Sequence, residues 1–278
     1  MFGKLLKHEL RHTARYHFVI LGISLVASAV MGLSLLFDTQ GMFSLAILPL
    51  ALVAFAVIIV SLVSVIRNFY DTIFSRQGYL TMTLPVKGSQ LLISKVLVSF
   101  FWICVSYVAA FLPFFFIFLH VKKQVEDFDE AIALMIEEFV AAMPSGGSVV
   151  SLLVFLVFTT LCSLLTYVGY IYFSVTLANT RLLQSHPKLF GAIVFGAVHF
   201  VSGLIVTLTE KVAPLSFGIN NEGAYLSFKS AMEMHSFMEP YLINEYIIKS
   251  VIAVGLLVAT GYIIEHKINI KSSVGGIL

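Results

Sequence analysis

The chain reads as an all-α integral membrane protein with six transmembrane helices, cytoplasmic N- and C-termini and an N-terminal amphipathic interfacial helix. Three observations predict this. Of its 278 residues, 59% are hydrophobic and 12% charged, with a mean hydropathy of +0.98; an ordinary soluble domain is about 45–50% apolar and about 25% charged. The few charges come in clusters separated by long uncharged runs, which leaves no stretch from which a soluble domain could fold. Basic and acidic residues also segregate along the chain, as membrane orientation requires. A net charge of +2 is too small to indicate a nucleic-acid partner. Cys104 and Cys162 both lie inside apolar runs, which excludes a disulfide framework and a cysteine metal cluster.

A helix needs about 20 apolar residues to cross the roughly 30 Å hydrocarbon layer. Residues 18–37, 41–66, 96–119, 148–178 and 189–208 contain no formal charge. The spans are accordingly placed at 18–37, 45–66, 91–119, 149–178, 189–208 and 243–264, within one transmembrane domain covering 1–278. The sixth is charge-free only from Ser250 to Ile264, so Lys249 is expected to snorkel outward, paired with Glu245 one turn earlier. The first is not expected to be a cleaved signal: its apolar run continues past the small residues Ala27-Ser28-Ala29 as far as Phe37. Six spans put both termini on one side. The segments facing that side (1–17, 67–95, 179–188, 265–278) carry 12 of the 17 Lys and Arg but 3 of the 15 acids, which orients them to the cytoplasm.

Before the first span, Lys4, Lys7, Arg11 and Arg15 fall on one side of a helical wheel and Phe2, Leu5, Leu6 and Leu10 on the other. Residues 1–17 therefore read as a basic interfacial helix, an elbow lying against the bilayer. Glu9 falls on the apolar side and requires a partner, for which an Arg of the next cytoplasmic loop is the candidate. The same stretch, His8-Glu9-Leu10-Arg11-His12, matches the HExxH pattern in which two His on one helical face bind zinc and the Glu activates water. An intramembrane zinc metallopeptidase using His8, Glu9 and His12 is thus an alternative. Four adjacent cations and the lack of a third ligand speak against it. At membrane depth, His199 is read as a neutral side chain bonded to a neighbouring helix, and Lys95 as snorkelling from the cytoplasmic end of the third span. Ser24, Ser28 and Gly32, spaced by four, suit close helix packing.

The connections differ in character. Asp38-Thr39-Gln40 is a tight hairpin. The outer segment 120–148 holds Phe128, Ile132, Met135, Ile136 and Phe139 at helical spacing beside six acids, and reads as an amphipathic helix ended by Pro144-Ser145-Gly146-Gly147. The outer segment 209–242 is apolar enough that part of it is expected to fold back among the helices. The cytoplasmic loop 67–90 carries Phe69, Tyr70, Ile73 and Phe74 as an apolar cluster rimmed by Arg67, Asp71 and Arg76, the composition of a partner interface. Gly78 and Pro85 turn the chain back to the membrane.

Within this stretch, Arg76-Gln77-Gly78-Tyr79-Leu80, Thr83-Leu84-Pro85-Val86 and Leu91-Leu92-Ile93-Ser94-Lys95 resemble the coupling segment of ABC-2 type permeases, the membrane subunits of type II ABC exporters. Phe2 to Leu10 resembles the elbow helix of that family, and the chain is most similar to a Gram-positive branch, some members of which handle antimicrobial peptides. The resemblance implies a permease in the bacterial cytoplasmic membrane rather than an enzyme. ATPase coupling would then fall to Phe69, Tyr70, Asp71, Ile73, Phe74, Arg76, Gln77 and Gly78. It also implies a cytosolic ABC ATPase subunit and a second permease chain as partners. The sequence has no GxxxxGK[ST] pattern, so no cofactor is expected in this chain, and ATP and Mg would sit on the ATPase. The substrate would be apolar or amphipathic, and its binding residues are not legible. A non-transporting membrane interaction or immunity protein is the further alternative.

Overall fold

Inside a bilayer a backbone must satisfy its own N–H and C=O groups, and each apolar run does so by forming a helix. The computed structural model describes residues 2–36, 40–75, 78, 88–124, 126–141, 149–180, 183, 185–212, 215–220, 223–228 and 244–266. In chain order these form α1 (Phe2–Leu36), α2 (Gln40–Ile73), α3 (Gly88–Gln124), α4 (Phe128–Ala141), α5 (Val149–Ala178) and α6 (Pro187–Val212). The strands β1 (Leu215–Asn220) and β2 (Gly223–Phe228) and the helix α7 (Asn244–His266) follow. All of these except α4 and the two strands are long and apolar enough to cross a membrane, six helices among the described residues. The chain is an all-α multi-pass membrane protein.

Two elements differ from the sequence reading. The N-terminal basic segment is not a separate elbow: α1 runs unbroken over 35 residues, about 52 Å at 1.5 Å per residue, well beyond the hydrocarbon thickness. No Gly or Pro between Lys4 and Phe18 supplies a break, and one face of this stretch is buried by protein. In the third outer segment, β1 and β2 form an antiparallel hairpin, from Leu215 paired with Phe228 to Asn220 paired with Gly223. A two-stranded sheet leaves both edges open, which suits an aqueous surface and not membrane depth. The rest of that segment, 213–214, 221–222 and 229–242, lies outside the described residues, as do Asp38-Thr39 and Pro144 to Gly147. The amphipathic helix of the second outer segment is α4. Its apolar positions Leu134, Met135 and Ile136 are exposed.

The chain divides into two compact units, one of 1–126, 175–188 and 260–278, the other of 127–174 and 189–259. In the first, α1, α2 and α3 pack around Ile20, Ala54, Val57 and Ala110. Ser24 donates to the Ala109 carbonyl and Ser28 to that of Ser24, so two residues of the small-residue stripe draw α1 against α3 or satisfy the helix itself. In the second unit, α5 meets α7 at Gly169, where a Cβ would stand 2.9 Å from that of Ala253. Phe155 and Tyr246 make an edge-to-face ring contact at 6.2 Å.

Candidate functional site

The buried face of α1 carries Glu9, Thr13, His17, Ile20, Ser24 and Ser28, a spacing of three and four that makes one helical stripe. Lys4, Lys7, Arg11 and Arg15 are exposed. Glu9 therefore points into protein, and its partner is Lys95 of α3, whose Nζ lies 2.5 Å from Glu9 Oε1. The same ammonium donates to Thr72 Oγ1 of α2 at 2.7 Å. Lys95 does not snorkel; it is 1% exposed. The reason is geometric: a carboxylate and a hydroxyl are already in place at its own level, and an ammonium so paired need not reach water.

A second tie lies nearby. His12 Nδ1 is 3.1 Å from Asn68 Oδ1, and Thr72 Oγ1 donates to the Asn68 carbonyl. Of the HExxH residues, then, Glu9 is held by an ammonium, His12 faces an amide and His8 is exposed. Among the described residues no three His, Cys, Asp or Glu side chains come together as a metal would require.

The loop expected to dock a partner starts as an extension of α2. Phe69 and Ile73 are fully buried and do not present an apolar docking face; they belong to the core of the first unit. The period of the apolar positions could not distinguish a docking face from a core face, since both are apolar. Tyr70 is 37% exposed and Phe74 partly so, with ring contacts at 6.0 Å from Phe74 to both Tyr70 and Phe69. Asp71 pairs with Arg67 at 3.4 Å on the surface. Arg76, Gln77 and Tyr79 to Lys87 lie outside the described residues. Gly78 donates to the Ser75 carbonyl at 2.9 Å and packs so closely on α2 that a Cβ would stand 2.1 Å from the Ile73 carbonyl oxygen. Only glycine fits this approach.

Where the chain returns, α3 is capped by Glu265 in the last turn of α7: its Oε1 accepts from the Ser89 backbone N–H at 3.2 Å. A carboxylate there satisfies an orphan donor and complements the helix dipole. The departing end of α2 and the returning end of α3 are thus each tied to another helix, α2 through Asn68 and Thr72, α3 through Lys95 and Ser89. Of these residues the sequence reading singled out Lys95 and Glu9 without joining them. The apolar-side position of Glu9 was the available signal; Asn68, Thr72 and Glu265 gave none.

Comparison of the chain with protein-family models, with curated proteins and with solved structures finds no match.

Proposed function

We propose that the chain is the permease subunit of an ATP-driven exporter of the ABC-2 type, working with a separate cytosolic ATPase. The observation that carries this reading is the segment from Arg67 to Lys95: its Gly78, Thr83-Leu84-Pro85 and Lys95 resemble an ABC-2 coupling segment, and the helix ends on either side of it are tethered to α1 and α7. Six apolar helices are consistent with such a subunit. In the proposed cycle the ATPase, closing on ATP, displaces the turn after α2. Because Gly78 lies directly on the Ile73 carbonyl, a push there is delivered to α2, and through Thr72 and Lys95 to α3 and α1. The tilted helices then change the accessibility of a route for an apolar or amphipathic substrate, a two-state rearrangement powered by differential binding.

The burial of Phe69 and Ile73 narrows the docking surface to Tyr70, Asp71 and Phe74, with Arg67 and Arg76 at its rim. The test is co-purification of the chain with ATPases encoded beside its gene, membrane abundance being followed in parallel. An ATPase is expected to accompany the chain, and Phe74→Ala to weaken docking by about 2 kcal/mol if Phe74 anchors the contact. No accompanying ATPase, or full retention with both Phe74→Ala and Arg76→Glu, overturns the reading.

A further inference from the structure

We infer that a cavity among α5, α6 and α7 binds the zwitterionic headgroup of an amphiphile, its anionic part on Lys249 and its cationic part between Glu245 and the rings of Tyr167, Tyr170 and Tyr246. The cavity has a volume of about 220 Å³, space for a small headgroup on the order of seven water-sized groups at about 30 Å³ each. Ser250, next to Lys249, is 3.5 Å from Thr166 Oγ1 and from the Cys162 carbonyl, near the middle of the apolar stretch Leu153–Ala178.

Its chemistry is that of a matched pair of opposite charges. Lys249 and Glu245 pair across one turn of α7 and both line the cavity, so the site holds one charge of each sign. A singly charged ligand would compete for one partner and leave the other without its counter-charge. A zwitterion pairs with both. Tyr167 and Phe195 lie nearly parallel to the His199 ring with centroids 6.4 Å away, and Tyr170 meets it edge-on at the same distance; of these, Tyr167 and Tyr170 line the cavity with Tyr246, aromatic groups of the kind that attract an ammonium. Tyr170 is fully buried and forms part of the cavity wall. Tyr167 and His199 are exposed, which opens the cavity on the outside of the helices. The exposed residues of α6 include Ile193, Phe200 and Leu204, apolar side chains along which an acyl tail can lie.

As a binding site this stands on its own; as the place where exported cargo is held it rests on the permease reading. The test uses the purified full-length chain without an ATPase, so its failure leaves that reading standing, and an absent ATPase leaves the binding result standing. The probes are dihexanoylphosphatidylethanolamine, the anionic dihexanoylphosphatidylglycerol, cationic hexyltrimethylammonium and tail-less phosphoethanolamine, each titrated calorimetrically. The phosphatidylethanolamine is expected to bind saturably and about tenfold or more tighter than the other three, and Lys249→Gln and Glu245→Gln each to weaken it by about tenfold. Tyr167→Ala, at an exposed position, is expected to weaken it several-fold and carries the test should the charge variants not fold. Equal binding of phosphoethanolamine overturns the assignment to an amphiphile. Equal binding of all ionic classes, or unchanged affinity in Tyr167→Ala, overturns the site.

Discussion

An ammonium enclosed by protein at the end of a membrane helix is stable only while its counter-charge stays in place, and for Lys95 that counter-charge is Glu9. Both are almost fully buried, and Glu9 Oε2 has no further hydrogen bond among the described residues. Mutual attraction holds the pair, and Thr72 is a further partner of the ammonium. Removing one member leaves the other buried without its opposite charge, and breaking a buried pair in this way costs about 3–5 kcal/mol, whereas replacing both with apolar groups of similar volume is often neutral. Lys95→Met is expected to lower the thermal unfolding temperature of the detergent-purified chain sharply, and Glu9→Leu together with Lys95→Met to recover most of the loss. Additive losses in that double-mutant cycle would mean that the two side chains do not interact.

Helix packing in this chain depends on where a side chain is missing. Gly169 brings α5 onto α7: a Cβ there would stand 2.9 Å from the Ala253 Cβ and 3.1 Å from its carbonyl oxygen. Part of that obstacle is backbone, so it cannot rotate away. Gly196 of α6 and Gly255 of α7 have nothing within 4 Å of such a Cβ. Gly169→Ala is expected to destabilise by about 1–3 kcal/mol through overpacking. Gly196→Ala should be neutral or stabilising by up to about 1 kcal/mol, since alanine is the better helix former. Thermal unfolding of the two variants side by side checks this, and equal effects would count against a close α5 and α7 contact. The three glycines look alike in sequence; all sit within apolar runs. The element each belongs to was legible from hydropathy, whereas its neighbour was not. The end of α2 teaches the same lesson, because Phe69 and Ile73 have the spacing of an interface and are core.

For the molecule as a whole, orientation follows from charge. Twelve of the 17 basic residues fall in segments on one side of the six spans, and moving them across would oppose the positive-inside bias. Asp127 lies at the turn before α4, with a left-handed φ of 60°; charge assigns Asp127 and Glu222 to the outside and Gln77 to the cytoplasm. In a background lacking Cys104 and Cys162, single cysteines at Asp127 and Glu222 are expected to react with an impermeant thiol reagent in intact cells, and one at Gln77 only after permeabilisation. Labelling of Gln77 in intact cells reverses the topology and removes the proposed docking surface from the reach of a cytosolic ATPase.

The sequence by itself determined that this is a six-helix membrane protein and which stretches of the chain are apolar enough to cross a membrane. Those properties are local: a run of apolar residues long enough to span hydrocarbon must become a helix, whatever surrounds it. It also marked Glu9 as misplaced on an apolar face. Only the tertiary structure decided that Glu9 meets Lys95 and Thr72, that Glu265 caps α3, that Phe69 and Ile73 turn inward, and that Glu245, Lys249 and His199 share one cavity. These pairings join residues as much as 176 positions apart. In a chain whose buried, lipid-facing and partner-facing surfaces are all apolar, hydropathy separates membrane from water but not one apolar surface from another.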